Sequence, residues 1–196
     1  LTLSVLDSFS QPGFKTALVQ KEGDIGAYLD TFWVIRIGRS LLLAFLLFFS
    51  APMLALFFDV PAATPILQVV SLAVIVEGWT NVFLVVLQKE LDFGRQFLYQ
   101  FSMVVADFLV AVVTAFILKD VWSLVWGFMA GRVVGLMVSY LIYPYRSRFA
   151  FDWQKFRELS RFGKWVFFSN FLDFLNREGD HAIIGKWLGA TSLGWY

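Results

Sequence analysis

Between Arg39 and Asp59 the chain runs through nineteen residues, SLLLAFLLFFSAPMLALFF, without one charged side chain. A helix rises 1.5 Å per residue, so about 20 apolar residues cover the roughly 30 Å of bilayer hydrocarbon, and this stretch is long enough to cross. Pro52 is tolerated inside it because neighbouring helices satisfy the carbonyl that it frees. Three more stretches are nearly as clean: residues 60–88 carry one charge, Glu77; residues 96–118 carry Asp107; residues 121–145 carry Arg132. Together they predict spans at about 36–58, 62–88, 96–118 and 121–145, with a partial span at 1–13. Outer-membrane strands would instead alternate over segments of about ten residues. The expected fold class is all-α, a polytopic α-helical membrane bundle.

Composition agrees with that reading. Hydrophobic residues make up 59% of the 196, and only 16% are charged, well under the roughly 25% of soluble domains. A soluble chain of this length cannot hide so much apolar surface. Without cysteine there is no disulfide scaffold, and 16 basic against 15 acidic residues give no reason to expect a nucleic-acid partner. Leu1 opens inside an apolar run with no basic stretch before it, unlike a signal peptide, and the chain reads as part of a larger membrane protein.

The loops orient the spans. Lys15, Lys21, Lys89, Arg95, Arg146, Arg148, Lys155, Arg157, Arg161 and Lys164 fall on one side, whereas Lys119 alone falls on the other. The positive-inside rule makes the basic side cytoplasmic. Residues 146–164 form a basic linker, in which DWQKFRELSRFGK sets Trp153 and Phe156 against Lys155, Arg157 and Arg161. This pattern fits an amphipathic helix at headgroup level, and equally a solvated connection between two bundles. In the last region, 165–196, an apolar run from Trp165 to Leu175 is interrupted by Asp173 and followed by Arg177, Glu178 and Asp180. It crosses only if its polar face lines water or other helices.

Ionisable residues within spans are functional candidates by default. Asp107 and Arg132 stand mid-span on the two arms of a hairpin turning near Lys119-Asp120. They predict a structural ion pair at equal depth, with a substrate contact as the alternative reading of Arg132. At helical spacing Glu77 shares a face with Asn81 and Gln88, and Asp107 with Gln96, Gln100 and Thr114. Asn170, Asp173, Arg177 and Asp180 form a third stripe, in which Asp173 and Arg177 are spaced as an intrahelical ion pair. Several polar stripes in an apolar bundle predict a wet central cavity. Arg36 and Arg39 read either as snorkelling anchors or, for Arg39, as reaching inward to an anion or to Glu77. Ser123, Gly127, Gly131, Gly135 and Ser139 recur every four residues, a small-residue ridge for close helix approach. His181, the one histidine, has no partner set for a metal, and no phosphate loop or nucleophile elbow is present. No cofactor and no enzymatic activity are expected.

The segments in order, PGFKTALVQKEG, DTFWVIRIGRSLLLAFLLFFSAPMLALFF, EGWTNVFLVVLQKELDF, KDVWSLVWG, YPYRSRF and FGKWVFFSNFLDFLNREGDHAIIGKWLGATSLGWY, resemble bacterial oligosaccharide flippases. These are the O-antigen, exopolysaccharide and teichuronic-acid exporters of the multidrug/oligosaccharidyl-lipid/polysaccharide superfamily. The resemblance covers essentially the whole chain and rests on the order of many short motifs. It implies two six-helix lobes around a cavity that opens to each side in turn. On that frame the chain holds spans two to six of the N-terminal lobe and the start of the second. It further implies a bacterial cytoplasmic (inner) membrane location and a polyprenyl-pyrophosphate-linked oligosaccharide as cargo, with other polysaccharide-assembly membrane proteins as partners. Arg39, Arg132 and Arg177 would be the cavity cations, and Glu77, Asp173 and Asp180 the proton- or sodium-coupling acids. A multidrug or cation antiporter of the same superfamily and an integral-membrane polymerase or ligase are the competing expectations.

Overall fold

A computed structural model describes residues 13–166 apart from 22, 24, 144 and 162, together with 168, 169 and 172. The described residues form an all-α bundle: α1 (Gly13–Gln20), α2 (Gly26–Phe57), α3 (Ala63–Gly78), α4 (Leu84–Lys89), α5 (Phe93–Leu118) and α6 (Trp122–Ile142). A further helical stretch covers 153–161. α2, α5 and α6 are long and apolar enough to cross a membrane, and the chain is a membrane protein. α2 packs on α3, α3 on α6, and α6 on α5.

Two expected boundaries differ. α2 begins at Gly26, ten residues before the start expected for the span at 36–58. Its early turns bury Leu29, Phe32 and Trp33 against other protein, so helix continues where lipid is not its environment. The span expected at 62–88 is not one helix. It stops at Gly78 and resumes at Leu84, because residues 79–83 have better partners than a helical ladder offers.

Those partners account for nearly every polar group of the break. Arg36 of α2 donates through Nη2 to the Glu77 carbonyl at 2.7 Å and to the Thr80 hydroxyl, and through Nη1 to the Thr80 carbonyl at 3.5 Å. The Tyr140 hydroxyl of α6 donates to the Trp79 carbonyl at 3.0 Å. The Asn81 amide donates to Ser139 Oγ at 3.0 Å, and Asn81 Nδ2 reaches the carbonyls of Tyr143 and Tyr145 at 2.7 and 3.1 Å. Asn81 Oδ1 in turn accepts from the Phe83 amide at 2.9 Å, the local turn that competes with helix in asparagine-containing sequences. Gly78 precedes the break, and a Cβ built there would meet Ser40 Cβ at 2.4 Å, so α2 and α3 touch at a point where only glycine fits.

The small-residue ridge does two jobs. A Cβ at Gly127 would lie 2.6 Å from Ala111 Cβ and 2.7 Å from the Asp107 carbonyl, and one at Gly131 would lie 3.0 Å from the Met103 carbonyl. These glycines let α5 lie directly on α6. A four-residue step turns about 40° around a helix, so by Ser139 the ridge has rotated off α5 and onto the break, where its hydroxyl serves Asn81.

The core at the basic end joins α1, α2, α4 and the 153–161 stretch through Leu18, Ile25, Leu29, Phe32, Val82, Val85 and Leu159. Polar bonds fasten the linker there. Asp30 accepts from the Tyr145 hydroxyl at 3.1 Å and from the Arg148 amide at 2.9 Å. Glu158 accepts from Tyr28 at 2.8 Å and pairs with Lys21. Lys89 caps the Lys21 and Gly23 carbonyls at 2.6 Å each. A second cluster, Ala44, Leu47, Val70 and Val74, with Phe128 against it, fills the seam between α2, α3 and α6.

Glycine replacement ranks these contacts. Gly127→Ala meets backbone and should lower stability by about 1–3 kcal/mol, the usual cost of overpacking. Gly135→Ala meets only the Met103 side chain at 2.8 Å and should cost less. Gly78→Ala should cost most. Thermal unfolding of the three variants in detergent checks the order. The Lys21–Glu158 tether has its own signature. The bonds from Lys21 and then Tyr28 hold the Glu158 carboxyl below its ordinary value, and Glu158 raises the Lys21 ammonium above its own. A lowered carboxyl contributes above its unfolded value and is lost as pH falls through the lowered one; a raised lysine contributes below its unfolded value and is lost as pH rises through the raised one. The tether is therefore whole at neutral pH and opens in acid. Proteolysis within 146–161 should accelerate in acid, and Glu158→Gln should show that rate already at neutral pH.

Candidate functional site

α1, α2, α4, α5 and α6, with the end of α3, enclose a cavity of about 290 Å³ at the basic end of the bundle. Its polar lining is Lys15, Arg36, Glu77, Gln88, Gln96, Tyr99, Gln100 and Arg132, and Phe32, Leu84 and Met103 are among the apolar residues. Each element contributes for a local reason. On α5, Gln96, Tyr99, Gln100 and Met103 recur at the three- and four-residue spacing that keeps one helix face together. On α4, Val85, Val86 and Leu87 are buried while Gln88 lies toward the cavity. Gln88 Oε1 is buried without a hydrogen-bond partner among the described residues, an acceptor suited to a hydroxyl or amide donor. Glu77 and Gln88 do share the cavity, although the intervening break removes the helical register that placed them together.

Three cations face one carboxylate here, and they are not equivalent. Arg36 is committed to the carbonyls of the break. Arg132 pairs with Glu77, with Nη1 3.4 Å from Oε2, and its guanidinium lies 4.8 Å from the centre of the Phe128 ring one turn earlier. Lys15, from the short α1, is pressed below its ordinary ammonium value by burial and then by Arg36, while Glu77 acts the other way. A buried ammonium disfavoured in this manner gains from an anion placed beside it.

Arg132 reaches Glu77 of α3, a partner outside the hairpin in which Asp107 was expected to meet it. Gly131, the residue before Arg132, has its Cβ position 3.1 Å from Asp107 Cβ. Arg132 is rotated about 100° from that contact and turns to α3 and Glu77. The glycine ridge occupies the face of α6 that lies against Asp107.

Arg39 lies beside the main cavity, in a small adjoining space of about 30 Å³ with Arg36, Ser40, Leu43, Val74, Glu77 and Gly78. Its Nη2 is buried without a hydrogen-bond partner among the described residues. Glu77 and Arg36 line both spaces and link them. Asp173, Arg177, Asp180 and His181 lie outside the described residues. Lys15 and Tyr99 are the members that sequence spacing missed. Tyr99 falls on the Gln96–Gln100 stripe and was legible there, whereas Lys15 arrives through the packing of α1 on α4 and left no local signal. Among the described residues no cluster of three His, Cys, Asp or Glu is placed to hold a metal.

A family model described as "Polysaccharide biosynthesis protein" matches residues 1–196. The lipopolysaccharide biosynthesis protein WzxC of Escherichia coli (strain K12) is 24% identical over 99% of this chain and 40% of its own length. The succinoglycan biosynthesis transport protein ExoT of Rhizobium meliloti (strain 1021) is 25% identical over 94% of the chain and 37% of its own length. The teichuronic acid biosynthesis protein TuaB of Bacillus subtilis (strain 168) is 22% identical over 94% and 38%. The chain thus spans about 40% or less of the length of these relatives. No solved structure matches it.

The break supplies the test of this geometry. Hydrogen bonds to a charged group contribute about 1.5–3 kcal/mol, and carbonyls left bare in an apolar bundle cost more. Arg36→Ala should therefore lower the unfolding midpoint more than Arg132→Ala does. A double-mutant cycle on Glu77 and Arg132 should return a favourable coupling, and one on Asp107 and Arg132 should return little.

Proposed function

The chain belongs to the polysaccharide biosynthesis protein family, and on that premise we propose that it is the N-terminal lobe region of a flippase. The whole protein moves a polyprenyl-pyrophosphate-linked oligosaccharide across the bacterial inner membrane by alternating access between two lobes. It makes and breaks no covalent bond and works alongside other polysaccharide-assembly membrane proteins. The observation that carries this reading is the cavity, in which Lys15, Arg132 and Glu77 stand among four uncharged polar side chains within an apolar bundle.

The chemistry of such a cargo matches that lining. A diphosphate needs cations held in a low-dielectric site, where charge-assisted hydrogen bonds are strong. Lys15 and Arg132 have that role, since Arg36 is occupied by the break. Sugar hydroxyls both donate and accept, and Gln88, Gln96, Gln100 and Tyr99 offer both. Glu77 holds Arg132 while no cargo is present. Protonation of Glu77, or its pairing with a sodium ion, frees the guanidinium for phosphate, which gives one step at which transport couples to an ion. Arg39 is a reserve cation beside Glu77. Arg177, Asp173 and Asp180 hold their proposed cavity and coupling roles by resemblance alone.

The cation antiporter reading is weaker, because a cavity with three cations and one carboxylate repels a cationic drug. Surface-polysaccharide export in a deletion strain, complemented with the full-length protein, tests the proposal. Each of Lys15→Gln and Arg132→Gln removes one charge-assisted contact, so cargo affinity should fall about 10- to 100-fold at unchanged membrane abundance. Unaltered export in both variants refutes the cavity assignment, and drug sensitivity with normal polysaccharide would turn the reading to the antiporter.

A further inference from the structure

The helical stretch 153–161 is fastened to the bundle along one side only. Leu159 is buried in the core at the basic end. Phe156 and Phe14 stand ring to ring at 6.3 Å, and Glu158 is held by Lys21 and Tyr28. At 100° per residue the side away from Leu159 carries Trp153, Arg157 and Arg161, and the line continues to Lys164. All four are exposed. Arg157, Arg161 and Lys164 line an open groove of about 740 Å³ with Gln154, Glu158 and Ser160. Both oxygens of Glu158, the one carboxylate there, are engaged by Lys21 and Tyr28. Among the described residues the uncompensated charge of the groove is therefore that of three cations. Ser160 Oγ is buried without a hydrogen-bond partner among the described residues.

The height of this face follows from its anchors. The Asp152 amide donates to Thr31 Oγ1 at 3.3 Å and the Arg148 amide to Asp30 at 2.9 Å, so the stretch begins beside the second turn of α2. α2 is long and apolar enough to cross a membrane, and the end of such a helix is where headgroups lie. Phe149, Phe151, Trp153 and Trp165 are exposed around it, and tryptophan is the side chain that settles at that boundary. A solvated linker has no use for this many exposed aromatic rings beside its cations.

We infer that this face of residues 153–164 docks on anionic phospholipid headgroups of the leaflet that α2 enters, with Arg157, Arg161 and Lys164 supplying the charge and Trp153 the anchor. The inference concerns the outside of the bundle and does not depend on what the cavity carries. The lipid contact makes the linker a part of the membrane boundary, fixed on its inner side by the core and on its outer side by charge.

Native mass spectrometry of the full-length protein in a neutral detergent tests it, with phosphatidylglycerol or phosphatidylcholine of the same acyl chains added. Wild type should retain phosphatidylglycerol preferentially. Neutralising Arg157, Arg161 and Lys164 together to Gln should erase the preference, at about fivefold for each cation in contact with the lipid surface. Arg161→Glu alone should erase part of it and guards against a triple variant that fails to fold. Lys119→Gln, at the opposite end of the bundle, should change nothing. Raised salt should weaken the preference, as it does for exposed charges. Equal retention of phosphatidylglycerol by wild type and the triple variant overturns the proposal. So does displacement of the lipid by inorganic phosphate at equal concentration, which would make the groove a free-phosphate site. Loss of a co-purifying protein from the variants with unchanged lipid would also overturn it, in favour of a protein partner.

Discussion

Arg36 reaches from α2 to the carbonyls of Glu77 and Thr80, and much of this bundle hangs on that reach. An apolar surrounding offers backbone groups no water, so a helix interrupted there must find other donors and acceptors. Here they come from three directions: Arg36 from α2, Tyr140 and Ser139 from α6, and Asn81 from the break itself. Because the interruption is satisfied, α3 can end at Gly78 and α4 can set off in a new direction. The break and α4 in turn provide Val82, Val85 and Val86 for the core at the basic end, and α1 and the 153–161 stretch pack onto the same cluster.

The same arrangement sorts the charges of the cavity. A guanidinium holding three acceptors is a structural part, so its charge is fixed and both hydrogens of Nη2 are spent. Arg132 pairs with Glu77 at 3.4 Å, with both side chains partly exposed, and Lys15 has no ion pair among the described residues. The cavity thus contains one immobile cation, one exchangeable ion pair and one cation short of an anion. That gradation, more than the number of charges, is what makes an anion-binding reading specific.

The membrane character, the three long helices, the close approach of α5 to α6 and the polar stripe on α5 were all legible in the sequence. Each depends on composition or on a periodicity within a single helix. What was hidden depends on which helices meet. The Glu77–Arg132 contact was hidden because two local signals on α6, the ridge at Gly131 and the charge at Arg132, point about 100° apart, and only packing decides which one faces α5. The break at 79–83 was hidden for a related reason. The string WTNVF holds no proline or glycine, and its departure from helix depends on Arg36, some forty residues earlier, and Ser139, nearly sixty later. Gln88 was grouped with Glu77 by a helical spacing that the chain does not follow, yet both line the cavity because α4 folds back toward it.

α5 buries none of its side chains, though it forms one wall of the cavity and carries Gln96, Tyr99 and Gln100 into it. Its principal bearing is the glycine seam on α6, where backbone lies on backbone with few interlocking side chains. The wall rests on α6 along its length and on α4 at the basic end. On that side the cavity is closed without any buried side chain of α5, and α6 is tied across it to α3 by the Glu77–Arg132 pair and by Phe128 on the Val70–Val74 seam.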